Sequence, residues 1–197
     1  MKPLSEKFHQ AIEKIDAANA QDPNQENLDG ETFPKEILYS QRMTKWLEKL
    51  DPDASEALRL AARSQHICRW EIPRTEFPEG REGYHQWRTT LYQFHADKAT
   101  EILQSVGYDE ATIAQVQKLL MKKQLKLDPE VQMLEDVVCL VFLENYFADF
   151  SQKHDEEKIV HILRRTWKKM SSKGRDMAMT LDLSDEQKVL LDKATQA

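Results

Sequence analysis

Apolar positions recur at helical spacing through most of the chain. Leu4, Phe8, Ala11, Ile12 and Ile15 form one stripe on an otherwise polar segment, which predicts an amphipathic helix over 4–18. The stretch AQDPNQENLDGETFP breaks the pattern at Pro23, Gly30 and Pro34 and predicts a loop. Helical spacing resumes over 35–50 through Ile37, Leu38, Met43, Trp46, Leu47 and Leu50. Asp53 is placed to cap a helix over 54–70, with Glu56 at capping-box spacing. Residues 71–83 hold two prolines and two glycines and cannot continue either neighbouring helix; connections of this length are often functional. A helix over 84–106 follows, stopped at Gly107, and Asp109 caps another to about Lys123. Pro129 suits the first turn of a helix over 130–150, apolar on nearly every side and so expected to be the most buried. Helical patterns over 156–170 and beyond complete the chain. No strand-period alternation of useful length and no internal repeat is visible.

These elements predict an all-α fold, a helical bundle forming a single domain over 1–197, with a helical C-terminal extension over 154–197. A chain of 197 residues is long enough for one sizeable core. Hydrophobic residues at 40% and charged residues at 31%, with few Gly and Pro, match a helical globular protein. The net charge of -6 argues against a protein built to coat nucleic acid, which leaves that partner unexpected, and no apolar run approaches a membrane span. The N-terminus lacks a signal-like apolar stretch, and Cys68 and Cys139 make no disulfide framework, so a cytoplasmic protein with reduced thiols is expected. Oligomeric state is not legible.

Candidate chemistry concentrates in three places. Glu135 and Asp136 are adjacent on the most apolar helix, where an ionised carboxylate demands a cation, an N–H donor or a proton. His66 shares a helical row with Leu58 and Ala62 and should point inward, and His95 and His85 flank Arg88 on the next helix. Two histidines and a carboxylate on three helices, His66, His95 and Asp136, are a donor set for a divalent metal ion with open positions, set against ordinary core packing. Arg63, Arg69, Arg74, Arg81 and Arg88 are half of the ten Arg, yet 63–88 contains no Lys. That bias favours bidentate recognition of phosphate over mere solubility, although Glu71, Glu76, Glu79 and Glu82 could pair with them. The interleaved aromatics Trp70, Phe77, Tyr84, Trp87 and Tyr92 are expected to anchor the loop. Late in the chain, LRRTWKKMSSKGR makes a basic strip that includes Lys169, a solvated face or a phosphate contact.

The segments YSQRMTKWLEKL, LAARSQHICRW and LEDVVCLVFLE resemble, in order, three metal-ligand helices of the HD-domain phosphohydrolases. The resemblance covers about 35–145, with Tyr39 and Ile67 standing where that superfamily has ligands. QHICRWEIPRTEFPEGREGYHQWR resembles more closely the signature of a bacterial and fungal domain-of-unknown-function family, number 4202, with an HD-like fold. The HD resemblance implies a metal-dependent phosphohydrolase or phosphodiesterase acting on a small phosphorylated ligand, a nucleotide being expected. His66, His95 and Asp136 would hold the ion, and Glu135 or His85 would handle protons. Arg69, Arg74, Arg81 and Arg88, with Tyr39, Arg42 and Lys169, would contact phosphate. The alternatives are a non-catalytic nucleotide or anion sensor that keeps the pocket without the metal, and an RNA-binding protein.

Overall fold

The computed structural model of the chain describes residues 4–196. The fold is all-α apart from one small hairpin, and it divides into two compact units, Met1–Lys123 and Gln124–Ala197. No helix among the described residues is long and apolar enough to cross a membrane.

The first unit opens with α1 (Glu6–Asn19), capped by the Ser5 hydroxyl accepting from Phe8 N–H, and buries the expected stripe of Phe8, Ala11 and Ile15. The predicted loop contains a hairpin, β1 (Gln25–Leu28) and β2 (Glu31–Pro34), closed by Asp29 and Gly30 at φ 52° and 85°. Positive φ at both central residues is what a two-residue hairpin turn requires. Four-residue strands with mostly polar side chains carry too little alternation to be read from sequence, so the expectation of a strandless chain is corrected here. Next come α2 (Lys35–Leu50) and α3 (Glu56–Ser64). The cap of α3 is Ser55, accepting from Leu58 N–H, rather than Asp53. The helix stops at Ser64, well short of 70, and the chain turns through 65–68. Cys68 ends that turn in the left-handed region at φ 52°, its N–H held by Asn19 Oδ1 at 3.0 Å. Nothing in SQHIC signals the break, since it contains neither Gly nor Pro.

Short 3-10 turns at Arg69–Glu71 and Arg74–Glu76 lead into α4 (Gly80–Ser105), which starts earlier than expected, and α5 (Glu110–Leu120) follows the Gly107 stop and the Asp109 cap. The early start depends on Gly83, where an added Cβ would lie 1.9 Å from the Pro78 carbonyl oxygen. Helix α3, buried on nearly every side, packs against α1, α2, α4 and α5 and is the centre of this unit.

In the second unit, Asp128 caps α6 (Pro129–Asn145), with Pro129 in its first turn as predicted. Leu140 and Val141 are fully buried. A break at Tyr146 separates α6 from α7 (Phe147–Gln152), where the apolar pattern predicts one helix over 130–150. Then come α8 (Glu156–Lys169), α9 (Ser172–Ala178) and α10 (Asp185–Thr195), the last with a full capping box between Ser184 and Gln187. The carboxylate of Asp136 rests on the bare backbone of Gly174, whose added Cβ would come within 2.7 Å of it.

Candidate anion-binding site

Within the first unit, several elements bring chemistry-bearing side chains to one place. The turn after α3 presents His66 and Arg69. One face of α4 presents Arg88, Tyr92 and His95 at positions one and two turns apart. From α2 come Glu36 and Tyr39, three residues apart on its buried face. The Tyr39 ring stacks on His66 with centroids 3.9 Å apart and planes within 11°, and the His95 ring lies 5.8 Å from His66.

Arg69 Nη1 lies 2.8 Å from His66 Nε2. A guanidinium only donates, so Nε2 supplies the lone pair and the neutral ring carries its proton on Nδ1. That nitrogen faces Glu36 Oε2 at 3.3 Å. Arg69 also lies over the Trp87 ring at 4.7 Å, and Trp87 is fixed by donating to the Ile72 carbonyl at 2.9 Å. Arg88 donates to the hydroxyl of Tyr84 at 3.2 Å and to that of Tyr92, whose ring it also faces. Arg69 is therefore held by two rings and Arg88 by rings and hydroxyls, and neither has a carboxylate in salt-bridge reach among the described residues.

The electrostatics follow from burial and from these cations. Burial pushes the Glu36 carboxyl up to about 7, with Arg69 opposing. It pushes His95 down to about 3, helped by Arg69 and Lys122. His66 is held well below its usual value by burial and then by Arg69, His95, Lys122 and Arg88. Like charges gathered around one buried ring repel one another. Such a cluster is costly to the fold unless something negative occupies it.

These shifts make stability depend on pH in two opposed ways. His95 ionises less readily folded than unfolded, so its contribution is lost as pH falls from 6.5 towards 3, about 5 kcal/mol in all; His66 adds a loss of the same sign. Glu36 binds its proton more tightly when folded, so its contribution is lost as pH rises from 4.5 to 7, about 3 kcal/mol. Glu36→Gln removes only the second effect. Melting temperature measured against pH should climb more steeply in Glu36→Gln than in wild type between pH 4.5 and 7; parallel curves would contradict the assignment.

A divalent cation at His66 would have to displace Arg69. The His66 lone pair is taken by a guanidinium, and the strongest charges acting on His66 are Arg69, Lys122 and Arg88 besides His95. Among the described residues, no group of three or more His, Cys, Asp or Glu side chains is placed to hold a metal.

Residues 9–191 match the protein family described as Domain of unknown function (DUF4202). The chain belongs to the DUF4202 family. No curated protein and no solved structure matches it.

Of the residues expected to act, this DUF4202 protein brings His66, His95, Arg69, Arg88 and Tyr39 together. Arg42 is engaged elsewhere, by Glu26 at 2.5 Å. Arg74 staples its own loop, donating to the Phe77 carbonyl at 2.9 Å, and Arg81 and His85 are an exposed pair, 3.5 Å apart. Arg63 is a buried structural residue, bidentate to Asp16 at 2.7 and 2.6 Å. Glu135, Asp136 and Lys169 belong to the second unit. There Lys169 Nζ lies 3.2 Å from Glu135, and Asp136 accepts from Ser171 N–H at 2.8 Å, from the Ser171 hydroxyl and from Gln132 at 3.1 Å. Two members of the cluster escaped the sequence reading. Glu36 lies on the buried stripe of α2, where a carboxyl out of pattern was a readable signal; Lys122 sits in a turn at φ 52°, where no periodicity marks it.

Proposed function

We propose that this DUF4202 protein binds a small phosphorylated ligand through the Arg69 and Arg88 guanidinium groups. One observation carries the reading. Two half-buried guanidinium groups, each fixed by aromatic side chains, have no carboxylate in salt-bridge reach among the described residues and sit in a field that is cationic at His66. A structural ion-pair network would supply its own carboxylates, and Glu36 sits at the far nitrogen of His66 instead. Tyr84, 42% exposed beside Arg88, offers a ring face to a nucleotide base.

The test is titration of wild type, Arg88→Lys and Arg165→Lys with phosphate and a nucleotide panel, followed by chemical-shift changes. Arg88→Lys keeps the charge and loses the fork, so affinity should drop about tenfold. Arg165, exposed on α8, serves as the control and should change nothing. No phosphate binding by wild type, or equal binding by all three, would sink the reading. Turnover is a separate question for the same proteins. Phosphate release from bound esters that requires an added divalent ion, and is lost in both His66→Gln and His95→Gln, would favour the hydrolase that the HD resemblance implies.

A further inference from the structure

A buried atom with no partner lies beside the cationic cluster. His95 is 2% exposed, and its Nε2 has no hydrogen-bond partner. Leaving a buried polar group unmade is costly, and such groups mark places where an unrepresented partner belongs. The charges acting on that imidazole are Arg69 and Lys122, both cationic. In the tautomer with the proton on Nε2, the partner that this cationic surrounding attracts is an oxyanion accepting from Nε2–H.

The number of charges is readable as well. Arg69 and Arg88 each lack a carboxylate in salt-bridge reach among the described residues, and the nearby acids are committed elsewhere. Glu26 is on Arg42, Glu71 is on Lys98 at 3.1 Å, and Asp22 accepts from the backbone N–H groups of Asn24 and Glu36. Glu36 attracts Arg69 from beyond salt-bridge reach, but it faces the Nδ1 of His66 and burial pushes its carboxyl up to about 7. Two unmatched guanidinium groups call for two negative charges. Building on the anion-site reading, we infer that the ligand is a phosphomonoester, met as a dianion by Arg69 and Arg88, and that His95 donates to it from Nε2. A carboxylate or a phosphodiester carries one charge and leaves one guanidinium unmatched. The class thus covers nucleoside monophosphates and other terminal phosphates and leaves out cyclic or internal diesters.

Methyl phosphate and methyl sulfate separate charge from shape, because both present three terminal oxygens and only the first is a dianion at pH 8. Dimethyl phosphate adds the diester. In wild type, methyl phosphate should bind at least tenfold more tightly than either of the others. His95→Phe and His95→Gln should each bind methyl phosphate several-fold more weakly, while the Phe variant melts no lower than wild type, because it removes an unpartnered buried nitrogen. Equal affinity for methyl phosphate and methyl sulfate would overturn the dianion assignment while leaving an anion site. Unchanged affinity in both folded His95 variants would overturn the role of His95. Absence of binding by all three anions would take down the underlying site reading instead.

Discussion

Gly83→Ala is expected to destabilise the first unit by about 3 kcal/mol, at the upper end of the usual cost of overpacking. Helix propensity alone predicts the opposite sign, since Ala in a helix is favoured over Gly by about 1 kcal/mol. Sterics win because the new Cβ would lie 1.9 Å from the Pro78 carbonyl oxygen, a backbone atom, and is itself fixed rigidly to the Cα rather than being a flexible side-chain tip. The first turn of α4 must unwind or the 71–79 loop must lift. Either movement disturbs the Ile72 carbonyl that fixes Trp87 and, through it, Arg69. A fall in melting temperature on the order of 10 °C is expected for a domain of this size. An unchanged or higher melting temperature would mean that the loop has other ways to pack.

Arg69→Met should separate function from stability. Burial and Arg88 both work against the charge of this half-buried guanidinium, and Glu36, beyond salt-bridge reach, works for it. Replacing it by an apolar chain of similar length removes both penalties and retains contact with Trp87, so the fold should gain about 1 kcal/mol. His66, with 21% of its side chain exposed, can take water at Nε2 in place of the lost donor. Phosphate affinity should fall about 100-fold, the equivalent of one strong charge-assisted contact. Denaturation and phosphate titration of the same variant decide the matter. A less stable protein with unchanged phosphate affinity would make Arg69 a structural residue.

The helices were legible because burial imposes a period that the sequence cannot hide. The inward position of His66 follows from the same period, whereas the Arg-for-Lys bias over 63–88 includes Arg69 and Arg88 without separating them from Arg63, Arg74 and Arg81. What stayed hidden depends on backbone that leaves the helical period. The turn at 65–68 ends in a left-handed cysteine, a conformation rare for that residue, and it re-aims Arg69 in a way that no helical row describes. Arg63 looked like one more member of the arginine run, yet its partner Asp16 lies far away in sequence and is brought to it by the packing of α1 on α3. Arg42, Arg74 and Arg81 show the same limit: resemblance points to the first and composition to the other two, and only three-dimensional neighbours reveal which guanidinium groups are already spent.

The exit of α1 has a consequence for where the chain can be cut. Asn19 supplies the acceptor for the Cys68 N–H, Asp22 supplies the one for the Glu36 N–H, and Asp16 holds Arg63. A fragment starting at Lys35 would keep every residue of the cluster and lose three acceptors that position it. The N-terminal helix is thus a foundation course and not a dispensable arm: proteolytic nicking between α1 and β1 should be tolerated while the pieces stay associated, whereas deletion of α1 should release the turn that carries His66 and Arg69.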